Sequence, residues 1–310
     1  MSDNSTRRNF LAASGSAAVL AIAGCSGDTG GGPGGNATDG GMTEARTTEA
    51  EMTETEEGGM MESTTVTVRI ENVAPTDFYG PETPTGGAIW LTPGAYAVHS
   101  GENPLYTEGE SASIGLEAQA EAGLANGFEG ETGLVDEISG MTDSVAHSGA
   151  FTPDDTVEDP NDPMGEVPGA PPIAPGGAFE FDVRAAPGQK LSFASMFVPS
   201  NDLFYSPGAD GITLWPEDGD PVSGDVTDSL HLWDAGTEPN AEPPGEGLDQ
   251  APMGQEKDVG DDEGGVVQRV DDGYDYPDVS NAIQVTLTPH DSMDGDEPMT
   301  DEPMGDGSMN

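Results

Sequence analysis

Residues 177–207 read GAFEFDVRAAPGQKLSFASMFVPSNDLFYSP, and this stretch decides the fold class. Apolar and charged residues alternate over residues 178–185, which is the two-residue period of a strand with one buried face. A Pro-Gly pair at 187–188 marks a turn, and a mostly apolar run follows over residues 190–199. The pattern predicts two strands joined as a hairpin.

Further strand patterns lie on both sides of this stretch. They occupy TTVTVRIENV near the start, AIWLTPGAYAVH, where Thr-Pro-Gly interrupts the pattern, LHLWD, and NAIQVTLTP near the end. Strands separated by turns, with little helix, predict an all-β protein built as an antiparallel β-sandwich.

One short helix is expected at residues 113–123, where Ser113 is placed to cap the first turn and Gly123 to end the last. Residues 128–141 fit a turn of helix or a short strand. Residues 152–177, rich in Pro, Asp and Gly, predict a long acidic surface loop.

The charge of the chain limits its environment and its partners. There are 59 Asp and Glu against 8 Lys and Arg, for a formal charge of −51. This charge repels itself strongly unless salt shortens the screening length, which is about 3 Å at 1 M. The composition is typical of halophilic archaeal proteins, whereas disorder is the alternative for the Gly- and Pro-rich ends. No basic stripe exists to meet phosphates, which argues against nucleic acid as a partner.

The only cysteine, Cys25, follows the sequence TRRNFLAASGSAAVLAIAG. Twin arginines, a short apolar stretch and Ala-Gly-Cys are typical of a twin-arginine export signal that ends in a lipoprotein box. The expected products are a signal peptide over residues 1–24 and a mature chain lipidated at Cys25 on the extracellular face of the membrane. Lipidation of Cys25 would leave the mature chain without a free thiol, which excludes disulfides, thiolate-ligated copper or zinc sites and a cysteine nucleophile.

The remaining chain divides by composition. Residues 25–63 predict a disordered tether rich in Gly, Thr and Glu, in which Asn36 lies in a glycosylation sequon. Residues 64–290 predict the folded domain, and residues 291–310 a disordered acidic tail.

No enzyme motif is found. The chain has no nucleophile elbow, phosphate-binding loop, zinc-protease motif or dinucleotide fingerprint, and its four histidines lack metal-ligand spacing. Three carboxylates remain of interest. Asp202 and Asp234 directly follow apolar strands, and Asp182 lies on the polar side of residues 178–185. Strand-end carboxylates can hold Ca²⁺, although Asn-Asp can also satisfy strand-end amides.

Four segments together resemble the spondin N-terminal domain, the module of F-spondin and mindin. They are SIGLEAQAEAG, PIAPGGAFEFDV, LSFASMFVPSNDLF and WDAGTEPNAE, within roughly residues 66–289. The resemblance implies an eight-stranded, C2-like antiparallel sandwich with a divalent-cation site, usually for Ca²⁺, at one end. Carried over by position, the site falls on Asp182, Asp202 and Asp234. Mindin has Glu at the position matching Asp182, so Glu180 is an alternative ligand.

These observations predict a non-enzymatic, lipid-anchored surface protein that binds a divalent cation and mediates adhesion to a surface protein or glycan. Two alternatives remain: a ligand-binding lipoprotein of a transporter, which usually has two α/β lobes, and an extracellular hydrolase.

Overall fold

A computed structural model of the chain describes residues 62–83, 86–160, 172–243 and 260–290. In these residues two antiparallel sheets carry most of the structure, and two short helices accompany them. The prediction of an all-β sandwich is therefore confirmed. The predictions for the export signal, Cys25, Asn36 and the acidic tail concern residues outside the described ranges, as does the predicted tether except for its last two residues.

The first sheet has five strands, numbered here along the chain. Their spatial order is β4 (Thr156–Glu158), β5 (Ala178–Ala185), β1 (Thr64–Asn72), β12 (Ile283–Pro289) and β9 (Gly224–Asp225). Strand β1 is central and pairs with both β5 and β12. Its alternating sequence gives a strictly alternating burial, so that one face enters the core and the other stays partly exposed.

The second sheet has seven strands. Six of them follow the order β11 (Gln268–Arg269), β10 (Leu230–Asp234), β7 (Leu203–Pro207), β6 (Lys190–Phe197), β2 (Leu91–His99) and β3 (Val145–Phe151). The seventh, β8 (Ile212–Thr213), also pairs with β6. Every residue of β7, and all of β6 except Lys190, is buried, because this sheet is covered on both faces.

Two apolar clusters explain this burial. The larger one contains residues of both sheets, including Val68, Phe179, Phe193 and Val285, and fills the space between them. In the smaller cluster, side chains of the seven-stranded sheet pack against helix residues such as Leu116. The helices α1 (Ile114–Ala122) and α2 (Leu134–Ser139) therefore form a layer outside the second sheet.

Helix α1 begins and ends where its sequence predicts. The Ser113 hydroxyl accepts a hydrogen bond from the Leu116 amide at 3.1 Å, and Gly123 adopts φ of +66° at the C-cap. Helix α2 lies in the segment for which a turn of helix or a short strand was expected, so the structure has two helices rather than one.

The predicted hairpin at residues 177–199 is wrong. Strands β5 and β6 belong to different sheets, so the Pro187-Gly188 turn carries the chain across the sandwich. A hydrogen bond to a residue outside both strands holds this turn: the Gly188 amide donates to the Trp215 carbonyl at 2.8 Å. Alternation and a turn indicate two consecutive strands, but they do not say whether those strands pair.

Two smaller expectations also change. Strand β2 continues through Thr-Pro-Gly, because the Thr92 hydroxyl accepts a hydrogen bond from the Met196 amide at 2.9 Å where the register shifts. The long loop at residues 152–177 contains a 3₁₀ turn (Pro153–Asp155) and the strand β4, with residues 161–171 outside the described part. The described residues form twelve strands, against the eight that the resemblance implied.

Candidate metal centre

The turn between β6 and β7 is built by Ser200. Its hydroxyl donates to the Phe197 carbonyl at 2.5 Å and accepts from the Leu203 amide at 3.1 Å. The Asn201 side-chain amide donates to the Pro239 carbonyl at 2.7 Å, which ties the turn to the segment after β10. These bonds let a short turn reverse the chain between two buried strands and place Asp202 at its end.

Asp202 is fully buried, and its two carboxylate oxygens have different surroundings. Oδ2 accepts three hydrogen bonds, from the Thr237 amide at 2.8 Å, the Thr237 hydroxyl at 3.1 Å and the Glu238 amide at 3.1 Å. Oδ1 is buried and has no hydrogen-bond partner in the described part of the chain. Burying a carboxylate oxygen that has no hydrogen-bond partner costs free energy. The surroundings of Asp202 therefore stabilise Oδ2 but not Oδ1.

Asp234 holds the turn that follows β10. Its Oδ1 accepts from the Gly236 amide at 2.7 Å, and its Oδ2 accepts from the Asn240 side chain at 2.8 Å. Gly236 has φ of +67°, and a Cβ there would lie 2.5 Å from the Val266 amide nitrogen. Only glycine fits this position, because the strand-end turn is left-handed and packs against residues 260–267.

A further acid, Glu238, lies in the same turn. Only 4% of its surface is exposed, and its Oε2 has no hydrogen-bond partner within the described ranges. A Cβ on Gly260 would lie 2.6 Å from Glu238 Oε1, so the backbone of the 260–267 segment covers this carboxylate. The Asn201 side-chain oxygen is a third buried oxygen in this region for which the described residues provide no hydrogen-bond partner.

Burial and neighbouring negative charges raise the pKa values of these acids. Burial, and then the charge of Asp234, raises the pKa of Asp202 to about 7, although three hydrogen bonds act in the opposite direction. Burial, followed by the charges of Glu121 and Asp202, raises the pKa of Glu238 to about 8. Burial also raises the pKa of Asp234. In each case the surroundings in the folded protein stabilise the ionised carboxylate less well than water does.

No basic side chain relieves this charge within the described residues. The ion pairs found there all belong to Arg69, on the other sheet. Glu121 and Glu117 of α1 and Asp262 of the 260–267 segment add negative charge around Glu238. The cluster of Asp202, Asp234 and Glu238, called the turn cluster below, is thus a buried, uncompensated set of acids.

Asp182 is not part of the turn cluster. It lies exposed on the outer face of β5, where its Oδ1 accepts from the Thr67 hydroxyl at 2.6 Å. The alternative ligand Glu180 shares that face and forms an ion pair with Arg69 at 3.6 Å. The structure therefore brings together Asp202 and Asp234, which interact electrostatically, and places Asp182 and Glu180 on the exposed face of the five-stranded sheet.

Across the described ranges, no group of three or more His, Cys, Asp or Glu side chains is arranged to hold a metal ion. No helix among them is long and apolar enough to cross a membrane. The chain matches no protein-family model and no curated protein.

Sequence reasoning missed Glu238 as a site residue. The signal was present in Asp-Ala-Gly-Thr-Glu, because an Asp that accepts from the amide two residues later starts a tight turn. That turn brings the Glu238 amide to the Asp202 carboxylate. Glu121 had no comparable signal, since its burial depends on how α1 packs on the second sheet.

Proposed function

We propose that the protein is a non-enzymatic, divalent-cation-binding module of the spondin type, and that the turn cluster is its cation site. One observation carries the proposal: Asp202, Glu238 and Asn201 each bury a side-chain oxygen that has no hydrogen-bond partner among the residues that the structure describes. Ca²⁺ takes six to eight oxygen ligands from carboxylates, amide or backbone carbonyls and water. The unpaired atoms are all oxygens of these types, so the donor set fits a hard cation.

The proposed roles differ among the residues. Asp202 Oδ1 and Glu238 Oε2 would supply charged ligand atoms, and Asn201 Oδ1 a neutral one. Both oxygens of Asp234 already accept hydrogen bonds, so this residue contributes mainly charge and the shape of the turn. Because the donors are not yet gathered as a metal-ligand group, binding requires their side chains to move together. Asp182 has no place in the proposed site.

Protons compete with the cation for the carboxylates of the turn cluster. With pKa values of about 7 and 8, Asp202 and Glu238 hold protons below neutral pH, and a cation must displace them. The apparent affinity for Ca²⁺ is therefore expected to rise between pH 6 and pH 9. Affinities of extracellular calcium modules are about 10⁻⁴ to 10⁻³ M, and we expect this range.

The experiment is thermal and urea unfolding of the full chain at pH 8.5 in concentrated KCl, with and without CaCl₂. Ca²⁺ at about 100 times its dissociation constant should stabilise the protein by about 2.7 kcal/mol. The double substitution Asp202→Asn with Glu238→Gln should abolish that gain. The matched control, Glu180→Gln with Asp182→Asn, removes two carboxylates from the outer face and should retain it.

An unchanged response to Ca²⁺ in the first double variant would refute the site. If only the control variant loses the response to Ca²⁺, the cation site lies on the outer face of β5. A chain that shows no response to Ca²⁺, Mg²⁺ or Mn²⁺ would refute the cation proposal altogether.

We also propose that the protein is exported by the twin-arginine route and anchored through lipidated Cys25, and that it binds a protein or glycan at the cell surface. The N-terminal sequence supports the first part, and the resemblance to adhesive spondin modules supports the second. Mass spectrometry of the mature N-terminus would test the anchor. A Cys25→Ser variant should leave the membrane fraction; if it stays, the anchor is elsewhere.

A further inference from the structure

A second concave site lies where the chain leaves β1. A groove of about 460 Å³ is lined there by residues that follow β1 and by the segment that precedes β12. The lining residues that matter for its chemistry are Val73, Phe78, Asp275, Tyr276, Asp278 and Asn281. It contains none of the turn-cluster residues, so the inference below does not rest on the cation proposal.

Hydrogen bonds and ring contacts fix the walls of this groove. The Tyr79 hydroxyl donates to the Asp275 carbonyl at 3.2 Å, which ties one wall to the other. The Tyr276 hydroxyl donates to Asp272 Oδ2 at 2.8 Å, and its ring meets Phe197 edge-on with centroids 6.0 Å apart. The Phe78 ring meets Tyr79 edge-on at 4.9 Å. Both aromatic lining residues are thus held in place without a ligand.

The two carboxylates of the groove have unused capacity to accept hydrogen bonds. Both Asp275 and Asp278 are exposed. Asp278 receives only a long hydrogen bond, 3.4 Å, from the Asn281 side chain, and no side-chain partner of Asp275 is found in the described part of the chain. No Lys or Arg lines the groove. A concave site whose lining contains two aromatic side chains and two exposed carboxylates, but no Lys or Arg, is complementary to a positively charged organic group.

We propose that this groove binds an organic ammonium group, with its alkyl part against Phe78 and Tyr276 and its charge between Asp275 and Asp278. Cation–π attraction favours such a group over a bare metal ion, which keeps its water, and the carboxylates favour it over a neutral ligand. The group can belong to a free amine or to a lysine side chain of a partner protein. The two sources share the same recognition chemistry.

The test is isothermal titration of the full chain with n-butylammonium in EDTA and constant KCl. Binding should be absent for n-butanol, which has the same alkyl chain without the charge. Asp275→Asn with Asp278→Asn should weaken binding about tenfold, equivalent to about 1.4 kcal/mol. Asp77→Asn, an exposed acid on the same loop as Phe78 that does not line the groove, should have no effect.

The aromatic contribution is tested by Phe78→Leu, which should weaken binding of tetramethylammonium at least threefold. If that variant fails to fold, the double substitution of the exposed Asp275 and Asp278 still tests the proposal. A lysine-containing peptide that binds more tightly than n-butylammonium identifies a protein partner; equal or weaker binding identifies a free amine. Equal binding of butanol, preference for a neutral methyl glycoside, or insensitivity to the Asp pair overturns the proposal.

Discussion

The turn cluster and the outer face of the five-stranded sheet both carry acidic side chains, but in different surroundings. Asp202 and Glu238 are buried, lack a basic partner among the described residues and have strongly raised pKa values. Asp182 and Glu180 are exposed, and Glu180 pairs with Arg69. In a chain with 59 acids, residue type alone therefore says little, whereas burial separates acids with potential function from acids that keep the surface hydrated.

The largest expected effect that distinguishes the two regions is on the pH dependence of stability. The pKa of Asp202 is about 7 in the folded protein, against an ordinary value of 3.8. Between these values the folded protein holds a proton that the unfolded chain has lost, so the free energy of unfolding falls as pH rises. Asp202→Asn removes this loss. Relative to the parent, it should gain on the order of 4 kcal/mol between pH 4 and pH 8.

Urea unfolding in EDTA at constant KCl, repeated across this pH range, measures that gain. Asp182→Asn, which removes an exposed carboxylate of the outer face, is the control. Parallel curves for Asp202→Asn and the parent would mean that Asp202 is already ionised at low pH in the folded protein.

A smaller effect on stability is expected when one threonine hydroxyl is removed from each region. Thr237 donates to Asp202 in the turn cluster, and Thr67 donates to Asp182 on the outer face. Thr237→Val should destabilise the protein by about 1 kcal/mol at pH 8, because a hydrogen bond to a buried charged group is lost. Thr67→Val should cost less than about 0.5 kcal/mol, because water replaces the lost bond.

Both variants are compared by their urea midpoints at equal slope. Equal losses for the two threonines would contradict the view that burial distinguishes the two regions.

The smallest effect concerns Arg69, which contacts Glu71, Glu158 and Glu180 on the outer face at 3.1 to 3.6 Å. Arg69→Gln should destabilise by about 0.5 to 1 kcal/mol at low salt, and by less at 1 M KCl, because salt screens exposed ion pairs. Chemical denaturation at the two salt concentrations tests this. A loss that grows with salt would show that Arg69 acts through packing rather than charge.

Local patterns in the sequence predict the strands well. The alternation in β1 and β5 and the capping of α1 by Ser113 follow from side-chain periods and backbone chemistry that act over a few residues. The same patterns do not specify sheet membership. The Pro-Gly turn after β5 looks like a hairpin, but the chain crosses to the other sheet because both strands bury one apolar face between the layers.

The candidate site shows the same limit. Asp202 and Asp234 are recognisable because each follows an apolar strand, and they lie close together because Asp202 directly precedes β7, which pairs with β10, the strand that ends at Asp234. Asp182 was expected beside them, but β5 lies in the first sheet and its polar side faces solvent. Sequence spacing cannot reveal this, since the outward direction of a strand residue depends on which sheet the strand joins.

The central position of β1 has a consequence for how the protein is made. This strand, near residue 64, is flanked by β5 and by β12, which ends at residue 289. The first sheet is therefore incomplete on the ribosome until nearly all of the domain has emerged. Strands separated by so many residues pair slowly, and β1 lacks its second neighbouring strand until β12 has been synthesised. Maturation of this domain is an event that follows synthesis.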